Sequence, residues 1–196
     1  MDLLFNAKTL DLKMQLKGET NPLQKRFMSY MKKHCYNGRL KLSHMQAGIN
    51  TAVALKEVLF LDTANLIVHL DLSNNCLGDK GSRILCKAVK ASNSLVTLNL
   101  TSNCIGASAM ANLFNELKQN YTLTDLNVCT ENGVNDNCIT NEAVGALSNY
   151  LSGNKTISIL NLSCTLLHDT GLKVILKNLG KVNKEQCEIK EEEQQH

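Results

Sequence analysis

The feature that most constrains this chain is an internal echo. The run Ile67-Val-His-Leu-Asp-Leu72, followed by Asn75-Cys-Leu77, returns as Leu95-Val-Thr-Leu-Asn-Leu100, followed by Asn103-Cys-Ile105. Two further copies start at Leu123 and Ile157, so the steps between first positions are 28, 28 and 34 residues. The shared pattern is LxxLxLxxNxL. Self-similarity at such a period marks a stack of units, none of which can bury its apolar face alone. Weaker Leu-x-Leu copies lie upstream at Arg39-Leu-Lys-Leu42 and Thr9-Leu-Asp-Leu12, each 30 residues before the next. Six strands are therefore expected, near Leu10, Leu40, Leu70, Leu98, Leu126 and Leu160.

The second half of each repeat reads as a helix. A small residue is followed by apolar residues four and eight positions on, as in Gly81, Leu85, Val89 and in Ala109, Leu113, Leu117. Ala143, Leu147, Leu151 and Gly171, Ile175, Leu179 repeat the spacing, and Thr51, Leu55, Leu59 give a weaker copy. That interval puts the residues on one helical face. Upstream, Leu23, Phe27, Met31 and Cys35 keep the interval on a basic stretch that reads as an imperfect terminal helix.

Composition agrees. Hydrophobic residues make up 43% and aromatics 4%, with no Trp, so the core must be built from aliphatic side chains in thin, similar layers. The net charge of +3 names no partner. It is unevenly spread: Lys17 to Lys41 sums to +6, and Lys181 to His196 to −2. The N-terminus has no secretory pattern and no stretch approaches a membrane span, so a cytoplasmic chain with no membrane partner is expected. In that setting the eight cysteines read as small apolar fillers and surface thiols. Cys76, Cys104 and Cys138 form a column after the repeated Asn, but no His accompanies it, and no metal is expected.

Repeats of about 28 residues with helical outer halves resemble the ribonuclease-inhibitor-like subclass of leucine-rich repeats. The resemblance implies an α/β leucine-rich-repeat solenoid, with a curved parallel sheet inside and helices outside. It would span residues 1–180 as about six repeats, the first degenerate. Residues 181–196 are expected as a capping strand or an acidic tail. The resemblance also implies that Asn75, Asn103 and Asn137 form a ladder, each amide bonding backbone groups that the loops leave unpaired.

Function is expected on the solvent side of the strands, opposite the buried leucines. One column there is Lys41, Asp71, Asn99, Asn127, Asn161, and a second is Arg39, His69, Thr97, Asp125, Ile159. A third is Ser43, Ser73, Thr101, Cys129, Ser163. The extra six residues of the third clear repeat emerge where a strand ends, within Cys129–Asp136, and supply Glu131, Asn132 and Asp136. Loops on a rigid scaffold are where binding often resides. The expected job is a non-enzymatic interaction module or scaffold subunit that binds another protein, with no cofactor and no small-molecule substrate. Nucleic acid is not favoured, and a cytoskeletal assembly is one setting considered. No nucleophile, zinc-hydrolase or phosphate-loop motif is present. The alternative, a regulator of a small GTPase, follows from the same family resemblance. It is weakened because the rim loops carry no Arg and Arg83 falls on a helix.

Overall fold

Each Leu-x-Leu segment can bury its leucines only by alternating them inward, and each helical half can bury only one stripe, so strand and helix must share a core. The structure, a computed structural model, describes residues 33–60, 67–131 and 135–179. Among these the strands are β1 (Cys35–Tyr36), β2 (Arg39–Lys41), β3 (His69–Asp71), β4 (Thr97–Asn99), β5 (Asp125–Asn127) and β6 (Ile159–Asn161). Between them run helices α1 (Ile49–Phe60), α2 (Gly78–Ala91), α3 (Ala107–Leu117) and α4 (Asn141–Gly153), and helix follows again over 169–179.

The sheet runs in chain order, β1 to β6. From β2 onward it is parallel and in repeat register: Leu40, Leu70, Leu98, Leu126 and Leu160 stand side by side. The ladder continues past each strand through the amides of Leu42, Leu72, Leu100 and Val128, at 2.7–3.1 Å. The middle leucines of β2 to β5 and the helix stripes join one buried cluster between sheet and helices. Leu85, Val89, Leu113, Leu117 and Leu147 are fully buried, whereas Leu151 and Leu179 pack at its edge. Gly171 shows why the first position of the stripe is small: a Cβ there would stand 2.8 Å from Leu167 Cδ1 and 2.9 Å from Val144 Cγ2.

One departure lies at the start. Cys35, expected on a helical face, instead begins β1, which pairs antiparallel with β2 through Cys35↔Leu40 and Tyr36↔Arg39. Asn37 (φ 50) and Gly38 (φ 73) make the connection. Positive φ at both central residues is the two-residue turn whose twist suits a hairpin, and Asn-Gly is its strongest signal. The strand expected near Leu10 and the segment 181–196 lie outside the described residues. The outer edge of β2, where the repeat register would set Leu10, is occupied by β1. No described helix is long and apolar enough to cross a membrane.

Candidate interaction face and rim loop

The alternation of β2 to β6 places the first two expected columns on one sheet face. Arg39 and Lys41 are exposed on β2, and His69, Asp71, Thr97, Asn99, Asp125 and Asn127 are half-exposed on the next three strands. Asn161 is half-exposed and Ile159 exposed on β6. Register sets Arg39, His69, Thr97, Asp125 and Ile159 in one row and Lys41, Asp71, Asn99, Asn127 and Asn161 in another. His69 Nδ1 bonds Thr97 Oγ1 at 2.8 Å rather than forming an acid–base pair with Asp71.

The second row also does structural work. Asp71, Asn99, Asn127 and Asn161 each accept, through Oδ1, the backbone N–H two residues on, at 3.0–3.1 Å. This short loop locks the turn that leaves each strand. The third column departs from expectation: Ser73, Thr101 and Cys129 are buried. Thr101 Oγ1 donates to Asn99 Oδ1 at 2.7 Å and meets Cys129 Sγ at 3.3 Å, so the middle of this row turns under the loop, while Ser43 is half-exposed and Ser163 exposed at its two ends.

Behind the face stands the asparagine ladder. Asn75 Oδ1 accepts the amides of Met45 (3.0 Å) and Ala47 (2.8 Å), and its Nδ2 donates to the carbonyls of Leu42, Leu72 and Ser73. Asn137 repeats this on the amides of Asn103 and Ile105, both at 3.1 Å. Asn103 keeps the three donor bonds, to Leu72, Leu100 and Thr101, but its Oδ1 is buried without a protein partner. The rung that should tie the Asn103 layer to the amides of the Asn75 layer is broken. A second ladder escaped the sequence reading. Ser92, Asn120 and Asn154, each three residues before a strand segment's first apolar residue, cap the helix-to-strand turns by accepting the amides of Leu95, Leu123 and Ile157. The spacing is visible in the repeats, but it does not reveal which backbone amides these side chains serve.

The inserted loop leans back across the stack. Glu131 N donates to Ser102 Oγ (2.9 Å), while Glu131 Oε2 accepts from Asn74 Nδ2 (3.0 Å), two layers away. Asn135 Nδ2 donates to the Asn75 carbonyl (3.1 Å), and its own carbonyl accepts from Cys104 N (3.0 Å). The loop thus spans the broken rung. Glu131 and Asp136 are exposed on it, and Asn132 lies outside the described residues. Sequence spacing revealed the insertion but carried no sign of its direction. Charge is graded along this side, with Arg39 and Lys41 at one end and Asp125, Glu131 and Asp136 toward the other. Arg83 is away from the rim, with its Nη2 bonded to Ser108 Oγ on α3 at 2.9 Å. Two buried groups resist ionisation. Burial, then Glu116, pushes the Cys86 thiol up to about 12, and burial pushes the Tyr150 phenol up to about 12.

The in-register parallel strands, the outer helices and the asparagine ladder define a leucine-rich-repeat protein, a solenoid of the ribonuclease-inhibitor-like type. The leucine-rich-repeat family model matches residues 64–83 and 91–114. The fold is similar to the actin-binding site 2 of leiomodin-1, at TM-score 0.63 and 18% identity over 87% of this chain and 95% of that one. It is similar also to the tropomodulin C-terminal domain of Caenorhabditis elegans, at TM-score 0.60 and 14% identity over 86% of this chain and 97% of that one. At these identities the likeness is one of fold. No curated protein matches the sequence.

Proposed function

We propose that this chain is a non-enzymatic interaction module that binds a protein partner through its strand face and the adjoining rim loop. The observation that carries this is the loop itself: residues added to one repeat are hydrogen-bonded back over two earlier layers, next to a graded polar face. A loop held in place before binding loses less freedom on association. The face carries one exposed aromatic among the described residues, Tyr36 at its β1 edge beside Arg39, and is otherwise polar, so recognition rests mainly on charge complementarity. The fitting partner presents acidic groups opposite Arg39 and Lys41 and basic groups opposite Asp125, Glu131 and Asp136. Leiomodin-1 actin-binding site 2, with the same fold, makes actin the first partner to test. A cytoplasmic, cytoskeleton-associated setting belongs to the same reading.

The test measures binding of the full chain to monomeric and filamentous actin, by fluorescence titration and co-sedimentation. Wild type is expected to bind, and Lys41→Glu and Asp125→Lys are each expected to weaken binding at least tenfold with unchanged circular dichroism. Absence of wild-type binding removes actin as the partner. Binding unaffected by both variants removes the strand face as the site.

A further inference from the structure

The broken rung lies beside two thiols that the stacking brings together. Cys76 and Cys104 are 28 positions apart in sequence and one layer apart in space, and both are exposed. Backbone bonds on either side hold their layers together, from Asn75 N to Ser102 O at 3.1 Å and from Gly78 N to Asn103 O at 2.9 Å. The Cys76 thiol is close enough to act directly on the Cys104 thiol. Adjacent parallel segments lie about 4.8 Å apart, within the roughly 4.4–6.8 Å between Cα atoms that a disulfide spans. Among the described residues, seven cysteines are free. Cys86 and Cys129 are buried, and Cys138, the next in the column, is only half-exposed.

The two sulfurs are not equivalent. Burial, and after it the neighbouring Cys76 sulfur, hold the Cys104 thiol above its ordinary value, so Cys104 is the member kept protonated. Asn135 Nδ2 points an N–H at Cys76 Sγ from 3.9 Å. With Cys104 held protonated, Cys76 is the attacking sulfur of the pair.

We propose that Cys76 and Cys104 are a modification site, a peroxide-reactive dithiol that closes to a disulfide between adjacent repeats. The Cys76 thiolate attacks hydrogen peroxide, the O–O bond breaks, and Cys76 becomes a sulfenic acid as hydroxide leaves. The Cys104 thiol then attacks the Cys76 sulfur, the S–O bond breaks, and water leaves with the Cys104 proton. Sulfur loses two electrons and the peroxide gains them. The covalent bond joins the two layers whose asparagine rung is missing, underneath Asn135 of the rim loop.

The test oxidises the reduced, folded full chain with equimolar hydrogen peroxide, blocks remaining thiols and maps tryptic peptides. Peptides 57–80 and 91–118 carry one cysteine each, so a linked pair reports this bond alone. The expected result is that linked pair, two hydrogens lighter than its parts and released by dithiothreitol. It should form at least tenfold faster in the folded chain than in urea. Cys104→Ser should accumulate a dimedone-trappable sulfenic acid at Cys76, Cys76→Ser should oxidise at Cys104 at least tenfold more slowly, and Cys138→Ser should leave the crosslink intact. No linked pair, a link from Cys104 to Cys138, or equal rates in folded and unfolded chain would overturn the proposal. The wild-type map decides it even if a variant fails to fold.

Discussion

Alanine at Asn137 and at Asn103 removes the same atoms from the same kind of buried site, so the cavities left behind are alike and the difference isolates hydrogen bonding. Asn137 serves two backbone amides, those of Asn103 and Ile105, through its Oδ1. Two of its three donor bonds matter less, because Leu100 O also receives Asn103 Nδ2 and Cys129 O also receives Ser102 N, while the Val128 carbonyl loses its Asn137 donor. Truncation therefore strands two buried N–H groups, each worth about 1–3 kcal/mol when left unpaired, for a loss of about 2–6 kcal/mol. Water entering the gap would bring the loss toward the lower figure. Asn103 caps no amide, and its three acceptor carbonyls each keep another donor: Asn75 Nδ2 on Leu72, Asn137 Nδ2 on Leu100 and Asn74 N on Thr101. Its truncation also deletes the orphaned Oδ1, so about 1 kcal/mol is expected. Urea unfolding followed by far-ultraviolet circular dichroism gives both midpoints, with the slope checking that the unfolding reaction is unchanged. A loss for Asn103→Ala equal to or larger than that for Asn137→Ala would refute the account of the ladder.

Leu113→Ala and Leu147→Ala, each in the fully buried helix stripe, should each lower stability by about 2–5 kcal/mol, and thermal midpoints within a degree of wild type would show that the face is misassigned. Gly145→Ala, with no atom near the added Cβ and an ordinary helical backbone, should raise stability by about 0.5–1 kcal/mol. Gly171→Ala, whose Cβ would press on Leu167 and Val144, should lower it, so the pair should move in opposite directions. Stability should also fall in alkali. Cys86 and Tyr150 keep their protons in the folded chain up to about 12, from ordinary values of 9.0 and 10.0, so the unfolded chain ionises first. The contribution is fully present below pH 9 and is lost toward pH 12, at about 1.4 kcal/mol per pH unit for each group within its window. Cys86→Ala and Tyr150→Phe should each flatten the decline measured by urea unfolding at stepped pH.

The repeats made the fold legible because each strand and each helix carries its own period. Leu40, Leu70, Leu98, Leu126 and Leu160 could be set in register from spacing, and register follows from burying them together. The first two columns of the face followed by alternation. What spacing could not reveal was where backbone polar groups are satisfied. Ser73, Thr101 and Cys129 look like face residues by alternation, but the chain turns after each strand and they are buried within the stack, whereas Ser163, with the same turn-locking bond from Asn161, stays exposed in the last described repeat. The hairpin at Asn37-Gly38 was readable, since that dipeptide is a turn signal in its own right, but a four-residue apolar interval ending at Cys35 favoured helix. Tertiary pairing with the open edge of β2 outweighed that local pattern.

A solenoid made only of identical layers would offer no single place for a partner or a reagent to prefer. Here the departures from periodicity fall together. The layers of Asn75 and Asn103 lack one rung, Glu131 and Asn135 of the inserted segment reach back over that gap, and the Cys76 and Cys104 thiols lie at its surface. Each feature alone is a small defect in a regular stack. They share one neighbour: Asn135 and Glu131 reach past their own layer to Asn75 and Asn74, so the turn at Asn74–Cys76 bonds to the insertion as well as to the layer beside it. A perturbation of the loop should therefore be felt first at Asn75 and Cys76 rather than in β5, from which the loop departs. Amide exchange of Asn75 in a chain carrying Glu131→Ala and Asn135→Ala should quicken while that of Leu126 stays unchanged, and the reverse order would show that the loop is anchored only to its own repeat.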